Sequence, residues 1–133
     1  LTMYVDQGRN EGAVTVILSG HRPPAEVLAL EKVRYAAIDG TQSDIDRDDP
    51  PDLIPWISLE WKKVLTWRGD GVMPADQQAK LKKLVDRVHA KGRKLRLWGA
   101  PDNPAVWQAL RGAGVDIINT DNLPGLRAFL LTR

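Results

Sequence analysis

The sequence predicts an α/β fold built on a parallel sheet, and three observations carry that prediction. Five short segments rich in aliphatic and β-branched residues recur at 13–20, 35–40, 56–61, 94–100 and 115–121. Stretches with helical spacing of apolar residues stand between most of them. The strand-like segments are close to continuous apolar runs, which suits strands covered on both faces. Alternation of strand and helix then implies crossover connections and parallel neighbours.

Taken in order, AVTVILSG (13–20) is the first strand and ends at Ser19-Gly20. Pro23 and Pro24 are placed to open a helix, because proline is tolerated in a first turn; Val27, Leu28 and Leu30 supply its apolar face. YAAIDG (35–40) is the second strand, and GTQSDIDRDDPPDLIPW (40–56) is an irregular connection. WISLEW (56–61) has the weakest strand pattern of the five. After MPADQQ comes the clearest helix, with Leu81, Leu84, Val85 and Val88 on one face and Lys91-Gly92 at its end. KLRLWGA (94–100) alternates along its length. Asn103-Pro104 pairs an N-cap residue with proline at the first helical position, and Val106, Trp107 and Leu110 form that helix's stripe up to Gly112 or Gly114. VDIINTD (115–121) is the fifth strand, and Leu126, Phe129 and Leu130 make a last short helix after Pro124.

Composition narrows the function classes. The 133 residues fit one domain, and 43% hydrophobic with 27% charged residues is globular. Lys and Arg number 19 against 17 Asp and Glu, a net charge of +2. The charges are interleaved, with no basic run carrying aromatics, so nucleic-acid binding is not predicted. The absence of cysteine removes disulfides and thiolate chemistry and leaves the compartment open. No apolar run approaches the ~20 residues of a membrane span. The opening LTMYVDQGRN has neither an initiator Met nor a charged leader, so a start inside a longer protein is expected.

Two architectures fit the element order: the last five β/α units of a (β/α)8 TIM barrel, or a five-stranded flavodoxin-like open sheet. Residues 83–130 carry a more specific signal. His89 and Gly92 end a helix, Trp98 ends a strand, and Gly114, Val115, Asp116, Ile118, Thr120 and Asp121 spell G-V-D-x-I-x-T-D. This pattern resembles the C-terminal end of the glycerophosphodiester phosphodiesterase and phosphatidylinositol-specific phospholipase C-like barrels. In that alignment VTVILSGHRP, YAAIDG and ISLEW look like the fourth, fifth and sixth strands. One departure is Gly-Ala-Pro-Asp after Trp98, where the common form is Thr-Val-Asn.

The resemblance implies the C-terminal portion of a metal-dependent phosphoric diester hydrolase, acting on a glycerophosphodiester- or phosphoinositide-like substrate. Calcium or magnesium is expected in the complete barrel. The resemblance puts the catalytic His and the metal carboxylates on the first three strands, which this chain lacks; no catalytic or metal-ligating residue is therefore assigned within it. A secreted or periplasmic parent fits the same family. The partners implied are a phosphodiester small molecule or lipid headgroup, and the remainder of the barrel or a second copy. The alternative is a free-standing, non-catalytic α/β domain that binds a ligand or a partner.

Strand-end positions nominate substrate-binding residues, because a barrel carries its site at the C-terminal ends of its strands. Ser19, His21, Arg22, Asp39, Ser58, Trp98 and Asp121 are the candidates. Arg22 is placed to contact phosphate, and its alternative is a solvated turn. Trp98 suits the wall of a pocket, whereas Trp56, Trp61 and Trp67 are expected to pack beneath the long loop. Asp121 is expected to cap the last helix, with a pocket role as its alternative. Asp116 and His89 read as structural. Asp44, Asp46 and Asp48 begin like a calcium loop, but Asp49 and Pro55 stand where Gly and Glu are needed, so an exposed acidic loop near the mouth is expected. Val16, Leu18, Ile38 and Ile118 are expected to fill the barrel interior.

Overall fold

The computed structural model describes residues 1–6 and 8–132. In chain order its elements are β1 (Met3–Val5), β2 (Gly8–Asn10), β3 (Val16–Leu18), α1 (Ala25–Leu28), β4 (Val33–Arg34), β5 (Ala36–Gly40) and a 3₁₀ turn (Gln42–Asp44). There follow β6 (Trp56–Glu60), α2 (Trp61–Val64), α3 (Ala75–Ala90), β7 (Lys94–Trp98), α4 (Pro104–Ala113), β8 (Ile117–Ile118) and α5 (Leu123–Leu131). The five predicted strands are β3, β5, β6, β7 and β8. They form one parallel sheet in which each strand pairs with its neighbours in chain order. A flavodoxin-type sheet places its first strand between the second and third. The observed order therefore corrects that alternative and matches part of a barrel wall.

The register divides the sheet into two faces, since alternate residues share a side. Leu18 pairs with Ile38, Gly40 with Ile57, Ile57 with Leu95, Leu59 with Leu97 and Leu97 with Ile118. This face lies under the helices, and Ile38, Ile57, Leu95 and Leu97 are fully buried there. The opposite face carries Ile17 against Ala37, Asp39 against Trp56 and Ser58 against Arg96, with Trp98 at the end of β7. It has no helical cover, and Trp98 is 40% exposed on it. The assignment of Val16, Leu18, Ile38 and Ile118 to the interior is thus inverted. Near-continuous apolar strands hide which parity faces the helices.

The helices follow their caps. In α3, Leu81, Leu84, Val85 and Val88 are buried as the spacing predicts, and Gly92 follows the helix at φ +69°. Asn103 caps α4 by accepting from the Val106 N–H, and Gly114 ends it in the left-handed conformation at φ +87°. Trp107 of α4 packs on Phe129 of α5, with ring centroids 5.7 Å apart. Two expectations fail locally. α1 is a single turn with Val27 and Leu30 exposed, and Leu130 of α5 is also exposed. Met3–Val5 and Gly8–Asn10, assigned no element from sequence, form an antiparallel ribbon of β1 and β2 that extends to β4. Arg34 fixes that small sheet by lying 4.1 Å over the Tyr4 ring and donating to the Ala36 and Asp52 carbonyls.

The connection from β5 to β6 contains no α-helix, yet it is packed. Ile45, Leu53 and Ile54 are buried in the core. Arg93, 2% exposed, donates to the carbonyls of Asp44, Ile45, Arg47 and Asp49 at 2.8 to 3.0 Å. The segment is thus pinned at its centre by a buried guanidinium and Asp44 is buried, whereas Asp46 and Asp48 are exposed as expected. Its carboxylates are also paired, Asp44 with Arg22 and Arg47, Asp46 with Arg87, Asp48 with Lys91 and Asp49 with Arg47.

Candidate functional site

The C-terminal ends of β3, β5, β6 and β7 enclose a cavity of about 370 Å³ lined by Ser19, Arg22, Asp39, Ser58, Arg96 and Trp98, together with Gly20, Gly40 and Thr41. The strand register brings these residues together. Ser58 and Arg96 are direct partners across β6 and β7, and Asp39 shares their face from β5.

Ser19 Oγ donates to Asp39 Oδ2 at 2.8 Å, fixing that carboxylate from the neighbouring strand. Asp39 is 8% exposed, and its Oδ1 is buried without a hydrogen-bond partner among the described residues. An oxygen in that state is costly, because its lost hydration is not replaced. Arg22 is not a solvated turn residue. Its Nε donates to the Asp39 carbonyl at 2.9 Å and its Nη2 to Asp44 Oδ2 at 3.1 Å. The same Asp44 oxygen accepts from the Thr41 N–H at 2.8 Å. Arg22 therefore has its charge matched inside the fold.

Arg96 differs. Its Nη1 reaches Ser58 Oγ at 3.3 Å and its Nη2 donates to Asn119 Oδ1, and it makes no ion pair among the described residues. Two neutral oxygens hold a half-buried guanidinium in place without neutralising it. Sequence reasoning missed Arg96 and Asn119. The signal was present, since the alternation of KLRLW puts Lys94, Arg96 and Trp98 on one face.

Of the remaining candidates, His21 is exposed and does not line this cavity. Asp121 does not cap α5; Asn122 does, accepting from the Gly125 N–H at 3.0 Å. A third missed residue, Asp102, accepts from Thr120 Oγ1 at 2.5 Å and from the Asp121 N–H at 2.9 Å. Those bonds, the Thr120 hydroxyl first, hold its carboxyl below the ordinary 3.8. Trp98 lies at the strand end as expected. Trp61 and Trp67 pack internally, with Trp61 Nε1 donating to the Trp67 carbonyl at 2.9 Å. Trp56 is corrected, because it faces the uncovered side of the sheet with Ile17 and Lys94. Asp116 and His89 are structural: Asp116 Oδ2 accepts from the Leu95 N–H and contacts His89 Nε2, each at 2.8 Å.

The divalent cation implied by the resemblance needs several oxygen ligands. Among the described residues no three His, Cys, Asp or Glu side chains converge. Asp44 is taken by Arg22 and Thr41, and Glu60 by Lys62 and Lys63. Asp39 is a single carboxylate, so this donor set does not make up a cation site.

Residues 94–124 match the model of the glycerophosphoryl diester phosphodiesterase family. This stretch, running from β7 through α4 and β8 to the start of α5, is similar to that family and contains Arg96, Trp98, Asp102 and Asn119. No curated protein and no solved structure matches the chain. No helix among the described residues is long and apolar enough to cross a membrane.

Proposed function

We propose that the chain is the C-terminal portion, five of eight β/α units, of a phosphodiester-hydrolysing barrel, and that its mouth binds the phosphate of a glycerophosphodiester- or phosphoinositide-like substrate. The observation that carries this is Arg96: a guanidinium with no acidic partner among the described residues, at strand ends, inside the stretch that matches the family. Such a group presents paired N–H donors to phosphate oxygens. The phosphate contact expected at Arg22 thus passes to Arg96, while Arg22 and Ser19 shape the pocket around Asp39. Trp98 offers a flat wall to the group beside the phosphate. A divalent cation supplies Lewis acidity in such hydrolysis; in this reading its ligands belong to the other three units. The residues present here bind and orient.

The test is titration of the chain with glycerol 3-phosphate, followed by backbone amide shifts. Saturable shifts at Ser58, Arg96 and Trp98 are expected. Arg96→Gln should weaken binding about tenfold or more, the value of a charge-assisted hydrogen bond. The chain alone should not turn over glycerophosphodiesters with calcium or magnesium. Binding unchanged in Arg96→Gln, or metal-dependent turnover by the chain alone that survives repurification, overturns the assignment.

A further inference from the structure

The outer side of the sheet carries a second cavity, of about 490 Å³, away from the uncovered face. It exists because the β5–β6 crossover has only a 3₁₀ turn where a full helix would pack beside α3. Leu59, Val64 and Leu84 form its floor. Lys63, Lys80, Lys83 and Arg87 stand around it, from α2 and from successive turns of α3. Glu60 is the acidic residue in the lining. Lys62 and Lys63 both contact it, and the Lys62 ammonium leads in holding its carboxyl below the usual range. Arg87 pairs with Asp46, whereas Lys80 and Lys83 make no ion pair among the described residues.

Lys80 and Lys83, without carboxylate partners among the described residues, stand beside an aliphatic floor, while Lys63 and Arg87 are already paired with Glu60 and Asp46; the methylene stems of the lysines extend the apolar lining. We infer that this groove binds a small anionic amphiphile, a phosphate-type head on a short hydrocarbon chain. The cations take the head, and the floor with the lysine stems takes the chain. A pocket of this volume lies within the usual range for small-molecule sites. The floor residues are already nearly buried, which favours a slender chain over a docked helix with bulky anchors. The groove adjoins the mouth through shared elements: Gln42 lines the groove and Thr41 the mouth, and β6 gives Leu59 to one and Ser58 to the other. The inference stands independently of the phosphodiester reading.

Octyl phosphate, inorganic phosphate and neutral octyl glucoside are the probes, titrated into the full chain with amide shifts as readout. Octyl phosphate should shift residues 59–64 and 80–87 saturably, and bind about tenfold or more tightly than inorganic phosphate through chain burial. The double variant Lys80→Gln/Lys83→Gln should lose about tenfold in affinity with the two charge-assisted contacts. Both side chains are on the exposed face of α3, so its amide spectrum should otherwise match that of the parent. Arg96→Gln should leave groove binding unchanged. The proposal fails if octyl phosphate shifts only the mouth, if the double variant binds like the parent, or if octyl glucoside binds equally well. It also fails if an acidic polyglutamate peptide saturates the groove while octyl phosphate does not, which would assign the surface to a protein segment.

Discussion

Three arginines show how little residue type says about role. Arg22 is matched by Asp44, Arg93 is buried among four carbonyls, and Arg96 is held by neutral oxygens alone. Arg93→Met should preserve much of the stem while leaving those carbonyls without donors. Each unsatisfied buried group costs about 1–3 kcal/mol, so a loss of about 3 kcal/mol or more is expected in urea unfolding. A change below about 1 kcal/mol would mean that solvent reaches the carbonyls. Asp102 gives a pH-dependent case. Its folded carboxyl titrates below 3.8, so its contribution is complete above that value and is lost as pH falls through the lower folded value. The amide of Asp121 should therefore shift on acidification below pH 3.8 in the parent and stay flat in Asp102→Asn. An identical acid profile in the two proteins removes Asp102 from the loop's support.

At the scale of elements, α4 is the piece whose ends are most clearly written. Asn103 caps its start, Pro104 follows, and Gly114 closes it. Asn103→Ala should cost about 1 kcal/mol, the usual value of an N-cap. It also removes the Asn103 Nδ2 contact to the Arg68 carbonyl at 3.3 Å, which ties the loop before α3 to the loop before α4. Gly114→Ala should cost about 1–2 kcal/mol for the left-handed backbone. A methyl there would meet Val85 Cγ1 at 3.6 Å, an ordinary contact, so sterics add little. Thermal unfolding of the two variants checks both values, and a Gly114→Ala protein as stable as the parent would show that the turn relaxes. The crossover from β5 to β6 is the opposite case. It has no helical period and yet buries three aliphatic side chains, because Arg93 supplies the donors that a helix would have found internally.

At the scale of the whole molecule, the sheet is covered on one side only. β3 and β8 are its two edges, both apolar and without proline. Edges of that kind pair with other chains unless they are protected. Parallel sheets are ordinarily buried on both faces. The chain alone is therefore expected to self-associate or to be completed by further β/α units. Sedimentation equilibrium with amide exchange is the check. A dilute monodisperse monomer with strongly protected amides at 16–18 and 117–118 would contradict it and restore the self-sufficient domain.

Strand positions, helix caps and the buried stripes of α3 and α4 were legible in the sequence, because each depends on contacts within a few residues. The resemblance over the last strands was legible for the same reason, as a local string of residues. Strand order was not, since a crossover of given length reaches more than one neighbour, and only the observed pairing separates a barrel wall from a flavodoxin-type sheet. Nor was the facing of the strands: in apolar runs such as VTVIL both parities look alike until the helices choose one. The residues of the candidate site divide along the same line. Ser19, Asp39, Ser58 and Trp98 follow from being at strand ends. The free charge of Arg96 and the neutralised charge of Arg22 depend on partners 23 and 22 residues away in sequence, which tertiary packing alone brings within hydrogen-bond distance.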